Sequence, residues 1–181
     1  MLELVKAVGD DGRVYAIRAM SWDLAKIESY WDRISKFPIF SDELDKSPMG
    51  FLQFVLNAGA LWFEIIDTEK EEVVGLMYLT DVMASYRGVM IEATWHAMVW
   101  DAKAGIRRPV FKAAIKALFK QFGFHRLRAE IPLHFGGVIR QAKKIGFREE
   151  GRLREAKQYG GIWFDALVLS VLDKEAAEWV A

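Results

Sequence analysis

The sequence predicts a single domain that mixes helices with strands, several of the strands paired as antiparallel hairpins. Three observations predict it. Apolar residues recur at every second position along some runs and at helical spacing along others, the signatures of half-buried strands and amphipathic helices. Short turns rich in Gly, Asp and Glu join successive strand-like runs, which is hairpin chemistry. At 181 residues and 52% hydrophobic the chain can close one full core, and no repeat, low-complexity tract or linker divides it.

The elements follow in order. Runs 2–8 and 13–18 alternate around Gly9-Asp10-Asp11-Gly12, whose Asp-Gly supplies the positive dihedrals of a tight turn. Ser21 caps a helix with Asp23 in its first turn; Leu24, Ile27, Trp31 and Ile34 share one face, and Pro38 stops it. After the acidic link 41–45, Ser47-Pro48 opens a second helix that Gly59 ends. From Ala60 the period becomes two: runs 61–66 and 73–80 pair across the polar turn 67–71, and a loop over 81–88 leads into a long strand, 89–100. There Glu92, Thr94, His96 and Met98 share one face, and Ile91, Ala93, Trp95 and Ala97 the other.

A basic loop, 101–108, feeds the clearest helix, 109–122. Phe111, Ala114, Ile115, Leu118, Phe119 and Phe122 form its apolar stripe, while Lys112, Lys116 and Lys120 line the face expected to be wet. Gly123 ends it. A strand over 125–132 alternates again, and Gly136-Gly137 precede a short helix, 138–145, closed by Gly146. Two strands within 147–172 turn at Tyr159-Gly160-Gly161, and a terminal helix covers 174–180.

Composition narrows the function. With no Cys, disulfides, thiolate catalysis and zinc–thiolate sites are excluded, and no three histidines show metal spacing, so no metal is expected. The first residues lack the pattern of a signal peptide, and no apolar stretch approaches the roughly 20 residues a bilayer span needs. A soluble, cytoplasmic protein is expected, with no membrane partner and no nucleic acid; a homo-oligomer is left open. The formal charge of zero conceals an asymmetry. Residues 101–148 hold 12 Lys or Arg against only Asp101 and Glu130, so a local excess of ten positive charges faces an equal deficit elsewhere. A strand feeding a basic loop at a helix N-terminus is a place to hold a phosphate, because unpaired N–H groups and the helix dipole both favour an anion there.

The order of elements resembles the GNAT superfamily of acyl-CoA-dependent N-acetyltransferases, and within it the branch that acetylates N-termini of ribosomal proteins. The likeness covers about residue 60 to the end. Its most specific part is Lys144-Ile145-Gly146-Phe147-Arg148-Glu149-Glu150-Gly151, then Leu153-Arg154-Glu155-Ala156, then Asp165. His125-Arg126 and Glu92 fit as well. Three departures stand out. Of the family's pyrophosphate loop only Gly105 is in place, with Lys103 at the first glycine and Trp100 at the Gln/Arg position. The Asn and Ser that usually open the second helix are Phe135 and Val138, and the frequent Tyr is Ala142.

The resemblance implies one GNAT-like domain over 1–181, of α/β (α+β) class, with a mixed, mostly antiparallel central sheet flanked by helices. It implies an acetyl group moved from acetyl-CoA, as co-substrate, to a primary amine: a protein N-terminus or a small amine. The alternative is a catalytically degenerate binding or assembly module. Met98, Val99 and Trp100 would pair with the pantetheine arm. Lys103, Ala104, Gly105, Ile106, Arg107 and Arg108 would hold the pyrophosphate, with Arg140 and Lys143 near the nucleotide. Glu92 is the leading base, with His96 and Asp165 as further catalytic candidates. Glu92 and His96 lie about 13 Å apart at strand rise, too far for one tight pair.

Overall fold

Every helix is carried on a single sheet, and its strand order explains why the polar groups gather where they do. The computed structural model describes residues 2–20, 24–36, 45–57, 61–100 and 106–179. The elements are β1 (Glu3–Val8), β2 (Val14–Ala19), α1 (Leu24–Ile34), α2 (Pro48–Asn57), β3 (Leu61–Asp67), β4 (Glu72–Ala84) and β5 (Met90–Val99). They continue with α3 (Arg107–Phe122), β6 (Arg126–Pro132), α4 (Gly136–Ile145), β7 (Arg148–Tyr159), β8 (Ile162–Leu172) and α5 (Asp173–Ala177). The sheet runs β1-β2-β3-β4-β5-β6-β8-β7. All neighbours are antiparallel except β5 and β6, so the expected mixed, mostly antiparallel sheet is present. The one parallel pair follows from α3, because a parallel neighbour needs a crossover.

Two apolar layers sandwich the sheet. On one face α3 lays Val110, Phe111, Ala114, Ile115 and Leu118 against Phe63, Ile65, Ala93, Trp95 and Leu127. Ile115 and Leu118 are fully buried, each contributing about 1.5–3 kcal/mol of transfer free energy. On the other face α1 and α2 cover Trp62, Leu76 and Tyr78 with Ile27, Tyr30, Trp31, Ile34, Phe51 and Val55. Below α1 the buried Glu64 accepts hydrogen bonds from Tyr30 Oη (2.6 Å) and Lys26 Nζ (3.2 Å), so its charge is paired. On β5 that second face is mixed: Met98 joins the apolar layer, while Glu92, Thr94 and His96 carry polar groups.

Several expectations need correction. Residues 81–84 are not loop: β4 continues through them, and Met83 and Ala84 pair with Glu92 and Met90 after a break in register. α3 begins at Arg107 and α4 at Gly136, each two residues earlier than the proline and valine suggested. The lysine face of α3 is not simply wet. Lys112 stacks over the Trp179 ring (5.1 Å) and Lys116 Nζ donates to the Trp179 carbonyl. Trp179 in turn fills the space beside Gly146, where a Cβ would come within 2.5 Å of its ring and φ is 130°. α2 opens at Pro48 as expected, and Ser47 caps it by accepting from the Gly50 N–H (3.0 Å). Ser21, Asp23, Pro38 and Gly59 lie outside the described residues. No helix among those described is long and apolar enough to cross a membrane.

Candidate active site

Irregularities mark both sides of β5. On the β4 side, Asp81 and Val82 sit between the rungs Thr80–Thr94 and Met83–Glu92, opposite Ala93 alone, which makes a β-bulge. Asp81 takes a left-handed backbone (φ 48°), which Asp tolerates better than most residues. On the β6 side only three rungs form: Glu92–Arg126, Ala93–Leu127 and Thr94–Arg128. Past them β5 stays with β4 as far as Val99–Gly75, while β6 follows β8 as far as Pro132–Ala166. The two strands therefore part.

Backbone parity says which groups face the gap. The Trp100 N–H donates to the Val74 carbonyl on β4 (3.0 Å), and the Ile91 carbonyl accepts from the His125 N–H on the β6 side (3.1 Å). Alternation then turns the main-chain groups of Trp95, Ala97 and Val99 toward the gap and those of Met98 and Trp100 into the β4 ladder. No described strand pairs with that edge from Trp95 to Val99.

The polar face of β5 carries a connected network. Glu92 lies 4.0 Å from Arg126 Nε and 3.7 Å from an Arg128 guanidinium nitrogen. Arg128 Nε donates to Thr94 Oγ1 (3.0 Å), which donates to Asp81 Oδ2 (2.8 Å). Thr80 Oγ1 is 3.2 Å from the same Oδ2 and 2.9 Å from His96 Nε2. His96 stacks on Tyr78 (centroids 4.5 Å, planes 7° apart), and Tyr78 stacks on Trp62 (4.1 Å). Burial pushes the His96 imidazole down to about 4; Asp81 opposes that shift and Lys157, from β7, adds to it. Burial also raises the Tyr78 phenol. Glu92 and His96 thus share one face, linked by this network rather than by contact.

Asp165 stands apart from that network. It accepts from the Glu155 N–H (2.8 Å) and from Arg152 Nε (2.7 Å), and these bonds hold its carboxyl below the usual range. Its partners sit at an irregularity in β7 between Leu153 and Lys157, where Glu155 has φ 46°. Asp165 therefore pins the bulged hairpin.

Lys103, Ala104 and Gly105 lie outside the described residues. Ile106 buries its side chain in the α3 layer, leaving only its backbone for a ligand. Arg107 and Arg108 are exposed at the first turn of α3, which carries no acidic residue. The Trp100 indole donates to the Val73 carbonyl (3.2 Å) and leans on Tyr30, and Met98 packs into the α1–α2 layer. On α4, Arg140 is exposed, while Lys143 pairs with Glu149 (2.7 Å). Ala142 is buried, and its carbonyl accepts the Gly146 and Phe147 N–H groups. No group of three or more His, Asp or Glu among the described residues is placed to hold a metal.

Sequence reasoning missed Thr80, Asp81 and Arg128. The only available signal was a Thr-Asp pair closing one strand opposite a threonine on the next.

Comparison with solved structures finds the same architecture. RimJ of Mycobacterium smegmatis, in complex with CoA-disulfide, superposes with a TM-score of 0.76 at 17% identity, over 97% of this chain and 91% of that one. A spermidine N-acetyltransferase SpeG chimera, from Vibrio cholerae and hSSAT, gives 0.74 at 15%, over 91% and 99%. The Vibrio cholerae spermidine N-acetyltransferase in complex with CoA and spermine gives 0.70 at 17%, over 91% and 98%. These identities speak for fold alone. Among curated protein sequences none matches significantly. The profile of the acetyltransferase (GNAT) domain matches residues 50–168, from α2 to the middle of β8, and thus spans both the β4 bulge and the parting of β5 from β6. The chain belongs to the GNAT acetyltransferase family.

Proposed function

We propose that this protein transfers an acetyl group from acetyl-CoA to a primary amine, a small amine or a protein N-terminus. The observation that carries the reading is the parting of β5 from β6 beyond Thr94 and Arg128, which leaves the Trp95–Val99 edge without a strand. An extended amide-bearing arm, as pantetheine is, completes such an edge by imitating a strand. Of the three residues expected to receive it, Val99 has its backbone aimed at the gap, with Met98 and Trp100 flanking. The pyrophosphate then falls to residues 103–105 and the N–H groups of Ile106, Arg107 and Arg108, where helix dipole and guanidinium charge act together. Arg140 and Lys143 border the nucleotide end.

The proton released by the attacking amine has two acceptors on the open face, Glu92 and His96. Asp165, held in the hairpin by Arg152 and the Glu155 N–H, would meet the incoming amine only from that side. Calorimetric titration with acetyl-CoA, followed by acetyl transfer to a panel holding spermidine, spermine and a short peptide with a free N-terminus, tests the reading. Binding and turnover on one panel member are expected. Absence of acetyl-CoA binding by the folded protein would overturn it in favour of a binding module. That second reading draws on Ala142 in place of the tyrosine and on the exposed Ile162 and Trp163 of the final hairpin.

A further inference from the structure

We propose that Thr80 and Asp81 are positioning residues for His96, fixing its imidazole as the Nε2–H tautomer so that Nδ1 keeps its lone pair for the reacting amine. This rests on the acetyl-transfer reading and names the base within it.

The argument is one of proton counting. The Thr80 hydroxyl has a single proton and two close neighbours, Asp81 Oδ2 at 3.2 Å and His96 Nε2 at 2.9 Å. An ionised carboxylate can only accept. Were the hydroxyl proton given to Nε2, an oxygen lone pair would face the carboxylate instead. The proton therefore goes to Asp81, and Nε2 must donate to Thr80. Asp81 cannot turn away, because the same Oδ2 takes the Thr94 proton at 2.8 Å while Thr94 accepts from Arg128 Nε at 3.0 Å. The donors run Arg128 to Thr94 to Asp81 from one side, and His96 to Thr80 to Asp81 from the other. Tyr78, stacked 7° from parallel, fixes the ring plane. The charged groups that bear on the ring are Asp81 from β4 and Lys157 from β7, and the imidazole is neutral at physiological pH. Its Nδ1 has no hydrogen-bond partner among the described residues. Position favours His96 over Glu92 as well. His96 lies just past the last β5–β6 rung, at the mouth of the gap, whereas Glu92 sits on a closed rung between two guanidiniums.

The step balances. The amine nitrogen attacks the thioester carbonyl carbon, forming N–C as the carbonyl pair moves to oxygen. Nδ1 of His96 removes a proton from that nitrogen. The oxyanion re-forms the carbonyl, the C–S bond breaks with its pair on sulfur, and the imidazolium returns the proton to the thiolate. The products are the N-acetyl amine and free coenzyme A thiol. One residue so supplies the proton that Ala142, in the place of a tyrosine, cannot.

The test has one arm that needs no substrate. Nitrogen-15 NMR of histidine-labelled protein, with His96 assigned by loss of its signals in His96→Gln, reads the tautomer directly. The Nε2–H form is expected in the wild type and a tautomer mixture in Thr80→Val, which keeps shape and removes the hydroxyl. In the second arm, on the amine that proves to be acetylated, Thr80→Val should lower kcat 10- to 100-fold with the KM for acetyl-CoA unchanged. Thr80→Ser should restore both tautomer and rate. An Nδ1–H wild type, or full kcat in a Thr80→Val protein whose tautomer has changed, overturns the proposal. A wild type that shows the Nε2–H form yet acetylates nothing overturns the catalytic role together with the acetyl-transfer reading, and leaves the Thr80–Asp81 hold as a feature of the fold.

Discussion

The two halves of β5 are built on opposite principles. From Glu92 to Thr94 the strand is hydrogen-bonded on both sides, and its outward face is ionic, with one carboxylate shared by Arg126 and Arg128. From Trp95 to Val99 it is hydrogen-bonded on one side only, and its outward face carries a neutral imidazole stacked on Tyr78 and Trp62. Charges sit where the ladder is closed and can hold them. Neutral, polarisable groups line the stretch where a ligand would displace water. On the acetyl-transfer reading, function belongs to the open half and the closed half acts as its anchor.

The largest effect expected from breaking this division is on turnover. His96→Gln should cut kcat by about 10²–10⁴-fold. Glu92→Gln should cost less than about tenfold in rate and no more than about 1 kcal/mol in stability, since Arg126 keeps Glu150 (2.8 Å) and Arg128 keeps Thr94 and Glu130. Steady-state kinetics beside urea melts of the two variants check the contrast, and the reverse ranking would make the closed half catalytic.

Next in size is acid sensitivity. In the folded protein the His96 pKa falls from 6.5 to about 4, so the folded state stays neutral at pH values where the unfolded chain takes up a proton. The resulting stability is whole above about pH 6.5 and is lost as pH falls toward 4, on the order of 3 kcal/mol in all. Urea melts between pH 7.5 and 4 should show this limb, and His96→Gln should flatten it. Asp165, whose pKa is also lowered, adds a separate loss only at more acid pH, below its ordinary 3.8.

A smaller effect separates the two edges of the open half. Ala97→Pro deletes an N–H aimed at the gap and spares the β4 ladder, so acetyl-CoA should bind about 10- to 100-fold more weakly with little change in melting temperature. Equal loss of stability and affinity would mean that the gap edge is paired within the protein. Smallest is Arg107→Ala, an exposed charge at the head of α3, which should cost acetyl-CoA binding about 1 kcal/mol and reduce its salt dependence. Titration at two ionic strengths reads both.

Most elements were legible because their signals are local. The period of two at 61–66, the apolar stripe of α3, and Ser47-Pro48 each say what they form without reference to anything distant. The site was less so. Glu92 and His96 could be put on one face by parity, but the network that joins them passes through Thr80, Asp81 and Arg128, which lie 11 to 36 positions from those two residues in the chain. A bulge also leaves little trace in sequence. Asp81 followed by Val82 and Met83 reads as the start of a loop, because the rungs that restore the strand belong to β5. The lysines of α3 failed for a similar reason, since the residue that covers two of them is Trp179.

The three rungs between β5 and β6 also have a mechanical meaning. Among the described residues they are the only backbone ladder joining a plate of five strands to a plate of three, with α3 in contact with β1 on one side and with α4 on the other. Pulled apart across that seam, the sheet should yield there first, with each plate still intact. A ligand whose arm bonds to Ala97 and Val99 and whose phosphates hold the head of α3 would act as a rivet through both plates. Single-molecule extension with and without coenzyme A would then show its rupture force rising at this seam, while the β1–β2 hairpin opened as before.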